Sequence, residues 1–398
     1  MDGAGAYGKP HSTSEGDPRM SEYRYYEFQA IDRPLDPAAQ QALRSISSRA
    51  RITATSFTNH YEWGDLKGDP RKFMERWFDL HLYLANWGSR RLMMRLPKRL
   101  IRRQQIDLFV CEVDGVEVCT SGDNLIVDIH RDEVESDDWD DGSGWLAALA
   151  PLRAEALSGD LRLFYLLWLT AVQDDLVADG EVEPLPGIGP LTGALEGFAE
   201  FFGVDADLVQ AAAEFGPGDA TISRDHLRET VAAIAAEEKT EFLLRVIEGD
   251  NHVAAELKRR VQEKCRRPAT TYRTAGALRQ RAREIREAHE RAETERQEAE
   301  RRRHAGEAEK ARRARLVALK QRGETIWREI EDEIGRRNAS GYDRAASLLS
   351  DLQALAAEEG SQDDFSHRLA SMRARHERKG QFIARLAGFR VSSDERKA

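Results

Sequence analysis

The segment from Tyr272 to Arg337 constrains this chain more than any other. It contains no proline and few glycines, and it is saturated with Arg, Glu, Ala and Gln, all strong helix formers. One continuous helix of that length would be on the order of 100 Å long, at ~1.5 Å of rise per residue. The pairs Glu287 with Arg291, Glu298 with Arg302 and Glu309 with Arg313 stand at i,i+4 in the favourable order, each worth ~0.2–0.5 kcal/mol.

A coiled coil needs a seam, and the best one here is Leu278, Ile285, Ala292 and Ala299. Its companion positions include Ala282, His289 and Arg296, so the seam fails in the middle. From Glu290 to Ala314 there is nothing larger than alanine to bury. A solvated single-helix spacer is the preferred reading, ahead of a homodimer through the long helix and of a nucleic-acid-binding helix. After it, Leu316, Leu319, Gly323, Ile326, Ile330 and Ile334 form an apolar stripe with Trp327 beside it. A turn at Asn338 to Gly341 and helices over 342–357 and 365–385 make residues 316–388 a helical hairpin or bundle. Trp327, Ile330, Ile334, Leu348, Leu352 and Leu355 are its candidate partner-docking residues. The alternative is that they merely fill a cap that ends the helix.

The chain as a whole, at 398 residues, has room for two or three domains. Residues 1–19 are rich in Gly, Ser and Pro and are expected to be disordered, with Met20 as an alternative start. Residues 20–131 read as an α+β domain with a mixed or antiparallel sheet. Asp36-Pro37 and Asp69-Pro70 each pair an N-cap with proline at the first helical position. The second of these opens a helix carrying Phe73, Trp77, Leu80, Leu84 and Trp87 on one face. Strands are expected over 23–31, 51–61, 92–96, 106–113, 116–119 and 125–129, with a hairpin turning at Asp114-Gly115. The resulting β-α-β-α-β-β-β order has a ferredoxin-like beginning. An acidic linker, 132–144, leads to an all-α domain over 145–267. There Leu163, Leu166, Leu167, Thr170 and Ala171 make one buried face, and Leu243, Val246 and Ile247 another. The charged helix takes 268–315, and 389–398 form a disordered tail.

The phrases EYRYYEFQAIDRPL, TSFTNHYEWGDLKGDP and LANWGSRRLMMRLP resemble the opening of a bacterial family of hypothetical proteins, and LRLFYLLWLTAVQDD resembles its middle region, a resemblance that covers the first two thirds of this chain. That family has no assigned activity, so the resemblance implies no cofactor and no site residues.

Charge is segregated beneath a formal net of −10. Acids exceed bases by roughly twenty between Asp132 and Asp250, and bases exceed acids by roughly ten between Leu257 and Arg315. The run Arg90, Arg91, Arg95, Lys98, Arg99, Arg102 and Arg103 contains no acid and has Trp63, Tyr83 and Trp87 near it in sequence. Arginine beside aromatics suits phosphate contact and base stacking. Docking on an acidic protein surface, including the chain's own middle region, is the preferred reading. No zinc-finger, helix-turn-helix or RNA-binding spacing accompanies the run.

For chemistry, His60, Glu62 and Asp65 gather at one strand end, and His130, Asp132 and Glu133 at another. Either set suits a general base or a carboxylate–imidazole metal site, and an enzyme built on them predicts one pocket holding both histidines. Asp137, Asp138, Asp140 and Asp141 fail as a calcium loop because Trp139 takes a ligand position and the terminal Glu is missing. Phosphate-loop, dinucleotide and nucleophile-elbow motifs are absent. Cys111, Cys119 and Cys265 form no CxxC pair, which fits a reducing cytoplasm, and Cys111 and Cys119 read as small core residues on strands. No apolar run approaches the ~20 residues of a membrane span. The expectation is a non-enzymatic cytoplasmic scaffold with a protein partner, no membrane contact, no metal and no cofactor. Nucleic-acid binding through the Arg90–Arg103 run is the alternative, and an enzyme with an unrecognised site a third.

Overall fold

The computed structural model describes residues 22–110, 113–135, 139–216, 224–265 and 271–389. It is an α+β chain that divides into two compact units at Ala288/His289. The first unit carries one seven-stranded sheet in the order β2-β3-β1-β4-β5-β7-β6. Its strands are β1 (Arg24–Gln29), β2 (Arg51–Ile52), β3 (Ser56–Tyr61), β4 (Leu80–Ala85), β5 (Arg90–Pro97), β6 (Val116–Ser121) and β7 (Asn124–Arg131). Every pairing is antiparallel, so the ferredoxin-like beginning, which needs parallel neighbours, is not what forms.

Helices α1 (Pro37–Ile46) and α2 (Pro70–Arg76) begin where the sequence places them. Asp36 accepts from the Ala39 amide at 2.7 Å and Asp69 from the Arg71 amide at 2.9 Å. Helix α2 ends early, however, and Leu80 to Ala85 form β4. Leu80 and Leu84 fit a helical face with Phe73 and Trp77, whereas Leu80, Leu82 and Leu84 together fit a period of two. A central strand buried on both sides wins, because it also finds a place for His81 and Tyr83. The expected strand 106–113 is likewise replaced by helix α3 (Arg103–Val110), which buries Ile106, Phe109 and Val110 on one face. The hairpin accordingly turns later, at Gly122-Asp123 between β6 and β7, with Gly122 at φ +53°. Cys119 lies on β6, half-buried, and Cys111 falls outside the described residues.

Register divides the sheet into two faces. Tyr25, Leu82, Leu84, Leu92, Met94, Val127 and Ile129 share one core with helices α4 (Trp145–Leu157), α5 (Arg162–Gln173), α6 (Gly193–Phe201) and α7 (Ala206–Ala213). The apolar core thus runs without a break across the stretch where a linker between two domains was expected. Phe28, Phe57, Met93 and Ile126 face the other way, against Leu43 of α1 and Phe73 and Met74 of α2. Helices α8 (Arg224–Ala232) and α9 (Ala236–Ile247) come next among the described residues, followed by α10 (Val253–Cys265).

Helix α11 spans Ala275–Arg322. Ala275, Leu278, Ala282 and Ile285 enter the core of the first unit, and Leu316 and Leu319 that of the second. Residues 286–308 and 310–315 are exposed throughout. The helix does not continue to Arg337. Gly323 adopts φ +48° and ψ −128°, a conformation open to glycine alone, and α12 (Glu324–Gly335) starts afresh. With α13 (Ala339–Glu359), α14 (Gln362–Arg375) and α15 (Gly380–Arg385) it packs around Ile330, Ile334, Leu349, Leu369 and Phe382.

Candidate functional site

The basic run is distributed by the pleat of β5. Arg90 is buried on the helix-covered face, with its guanidinium 5.5 Å from the Phe201 ring centroid. Arg91 and Arg95 point to the opposite face. Arg91 holds Asp128 by two bonds, Nε to Oδ1 at 2.8 Å and Nη2 to Oδ2 at 2.7 Å. Arg95 donates to Asp79 Oδ1 from Nε at 3.0 Å and from Nη2 at 2.6 Å. Arg99 reaches Asp250 at 2.7 Å and Glu256 at 3.5 Å, and Arg103 reaches Asp107 at 3.4 Å. Lys98 lies half-buried after β5, and Arg102 is exposed before α3. The seven cations are not one patch, and five of them have an acidic or aromatic neighbour inside the fold.

The two histidine sets lie on opposite faces. His60 pairs with Tyr25 and His130 with Arg91, and Tyr25 and Arg91 belong to different sides of the sheet. The single pocket that an enzyme using both requires is therefore not formed. His130 does line a cleft of about 510 Å³ with Arg71, Arg91, Asp128, Asp132 and Asp174. Burial pushes the Asp128 carboxyl up, but Arg91 and Arg71 outweigh it and hold the group below the usual carboxylate range. Ser89 Oγ and, at 3.0 Å, His130 Nε2 both meet Asp132 Oδ1. A nucleophile triad puts the imidazole between hydroxyl and carboxylate. Here the carboxylate stands between the other two, so the arrangement is not that of a triad. Among the described residues, no group of three or more His, Cys, Asp and Glu side chains is placed to hold a metal ion.

In the second unit, Ile330, Ile334 and Leu352 are core residues, while Trp327, Leu348 and Leu355 are half-buried against that core. Arg368 lies 5.4 Å from the Trp327 ring centroid.

The least expected surface belongs to α8–α10. Leu243, Val246 and Ile247, read from sequence as a buried face, are 65%, 57% and 82% exposed. Helix α9 is apolar on more than one side, and its small core of Ile234, Phe242 and Val253 with Leu257 consumes only Phe242 of that helix. What remains opens a groove of about 480 Å³ among Leu227, Val231, Leu243, Val261 and their neighbours. Polar contacts hold the three helices to the sheet: Asn251 donates to the Asp32 carbonyl at 3.0 Å, His252 meets the Asp32 carboxylate at 3.2 Å, and Arg99 binds Asp250. The signal in the sequence is the unbroken run Phe242-Leu243-Leu244, which widens the apolar arc of α9 beyond one narrow stripe.

No helix among the described residues is long and apolar enough to cross a membrane. Comparison with protein-family models, with curated proteins and with solved structures gave no match to this chain.

Proposed function

We propose that the protein is a non-enzymatic scaffold that engages a protein partner through the groove of α8–α10. The observation that carries this reading is the run of large aliphatic side chains that α9 leaves in solvent. Contiguous exposed apolar surface of that kind marks interaction sites. Helix α11 continues the same polypeptide into a second helical unit, where Trp327 and its half-buried neighbours offer a further contact surface. The cytoplasm is the compartment this reading assigns, in keeping with three cysteines and no CxxC pair.

The test is reconstitution. A protein captured by the full chain is purified, mixed with wild type or with Leu243→Asp/Ile247→Asp, and cross-linked. The reading expects the cross-links to fall on α8–α10 and the double variant to lose the complex. A complex untouched by the double variant, or turnover of a nucleotide, phosphoester or peptide substrate by the pure protein, overturns it.

A further inference from the structure

The chemistry of the α8–α10 groove narrows the kind of partner it fits. We infer that its occupant is an amphipathic helix of a partner protein that carries acidic residues beside its apolar stripe. This rests on the docking reading above. The shape argues for a helix: the groove runs among three helices, with Ile234 and Phe242 at its floor and Leu227, Val231 and Leu243 along its sides. The charge argues for acid. Among the described residues only two charged ones line it, Lys239 and Lys258, and both are cations. Lys239 Nζ is fixed by donating to the Ala232 carbonyl at 3.0 Å, which holds the ammonium at the end of α8. Of the carboxylates on α9 and α10, Glu238 is engaged by Arg260, Glu256 by Arg245 and Glu263 by Arg259, and Glu237 and Glu241 do not line the groove. The lysines therefore set the sign of the rim.

Two other occupants fit less well. A second copy paired groove to groove brings Lys239 and Lys258 against the same two lysines, and sets one concave face on another. A lipid surface meets a flat or convex apolar face, and this one is concave.

The full chain is titrated into labelled helical peptides of about five turns, with leucines at i, i+3, i+4 and i+7 and with flanks of Glu, Gln or Lys. Fluorescence anisotropy reads the binding. The Glu-flanked peptide is expected to bind roughly five- to tenfold tighter than the Gln-flanked one at low salt, with the gap closing as salt rises to about 0.5 M. Lys239→Glu/Lys258→Glu should transfer the preference to the Lys-flanked peptide. Leu243→Asp should abolish binding of all three; Leu243 is 65% exposed, so circular dichroism should show an unchanged fold. Equal affinity for Glu and Gln flanks overturns the acidic specificity and leaves the docking groove standing. Failure of every peptide to bind overturns both. Leu243-dependent dimerisation in sedimentation velocity, or Leu243-dependent binding to phosphatidylserine–phosphatidylcholine vesicles without peptide binding, assigns the groove to another occupant and overturns the inference.

Discussion

Arg99, just beyond β5, donates to Asp250, in the turn between α9 and α10, at 2.7 Å across 151 residues of sequence. Asp250 also accepts from Arg245 at 2.7 Å and from the His252 amide at 3.0 Å. Burial pushes this carboxyl up, and the hydrogen bonds from Arg99, the His252 amide and Arg245 bring it well below the usual range. Helices α8–α10 are therefore clipped to the sheet by charge. Asp250→Ala should lower the free energy of their local opening by about 1.5–3 kcal/mol, as expected for hydrogen bonds to a charged group. Hydrogen exchange should rise across α8–α10 and stay unchanged in α4 and α5. High salt should act in the same direction more weakly.

Glu183 and Arg273 form the strongest tie between the start of α11 and the helical core. The Glu183 side chain is 1% exposed and takes three bonds from Arg273: its amide at 2.8 Å, Nε at 3.1 Å and Nη2 at 2.9 Å. Tyr165 adds a hydroxyl at 2.5 Å. Glu183→Ala takes the buried carboxylate from Tyr165 and from Arg273, whose guanidinium keeps the Ala211 and Ala212 carbonyls, and should cost about 3–5 kcal/mol in urea unfolding of the first unit. Glu183→Gln should cost less.

His81 links stability to pH. It is wholly buried, stacked on Phe28 with 3.9 Å between ring centroids, and its Nε2 has no hydrogen-bond partner among the described residues. Burial pushes the imidazole down to about 3. The unfolded chain takes up the proton below about 6.5, while the folded one stays neutral until about 3. Between those values the unfolded state binds more protons, so stability falls as pH is lowered, by up to ~1.4 kcal/mol per pH unit. His81→Phe should flatten that slope between about pH 6.5 and 4.5, where carboxylates remain ionised. Denaturant midpoints across that range check it.

Gly323 separates α11 from α12 at φ +48° and ψ −128°. Gly323→Ala should destabilise the second unit by about 1–3 kcal/mol through backbone strain alone, since a Cβ there meets nothing within 4 Å. Thermal unfolding of the second unit checks it.

Much of the fold was legible where a local rule acted alone. The Asp-Pro helix starts needed only capping, and the exposed middle of the long helix followed from the lack of anything larger than alanine between Glu290 and Ala314. Tertiary context decided the rest. Leu80 and Leu84 satisfy both a helical and a strand period, and the place of Leu82 between them at the centre of the sheet selects the strand. The arginines of β5 look like a patch in one dimension, and the pleat turns alternate ones to opposite faces. The α9 surface was misread because hydrophobicity indicates that a side needs covering without indicating whether the cover comes from the same chain.

The central claim is that Leu243 and its neighbours are bare because a partner helix covers them. The most direct measurement is the affinity of the Glu-flanked amphipathic peptide for the full chain and for Leu243→Asp, side by side at low salt. The account predicts saturable binding to wild type and a loss of at least about tenfold in the variant, equivalent to ~1.4 kcal/mol. Equal affinity for the two, or no binding to wild type, would contradict it.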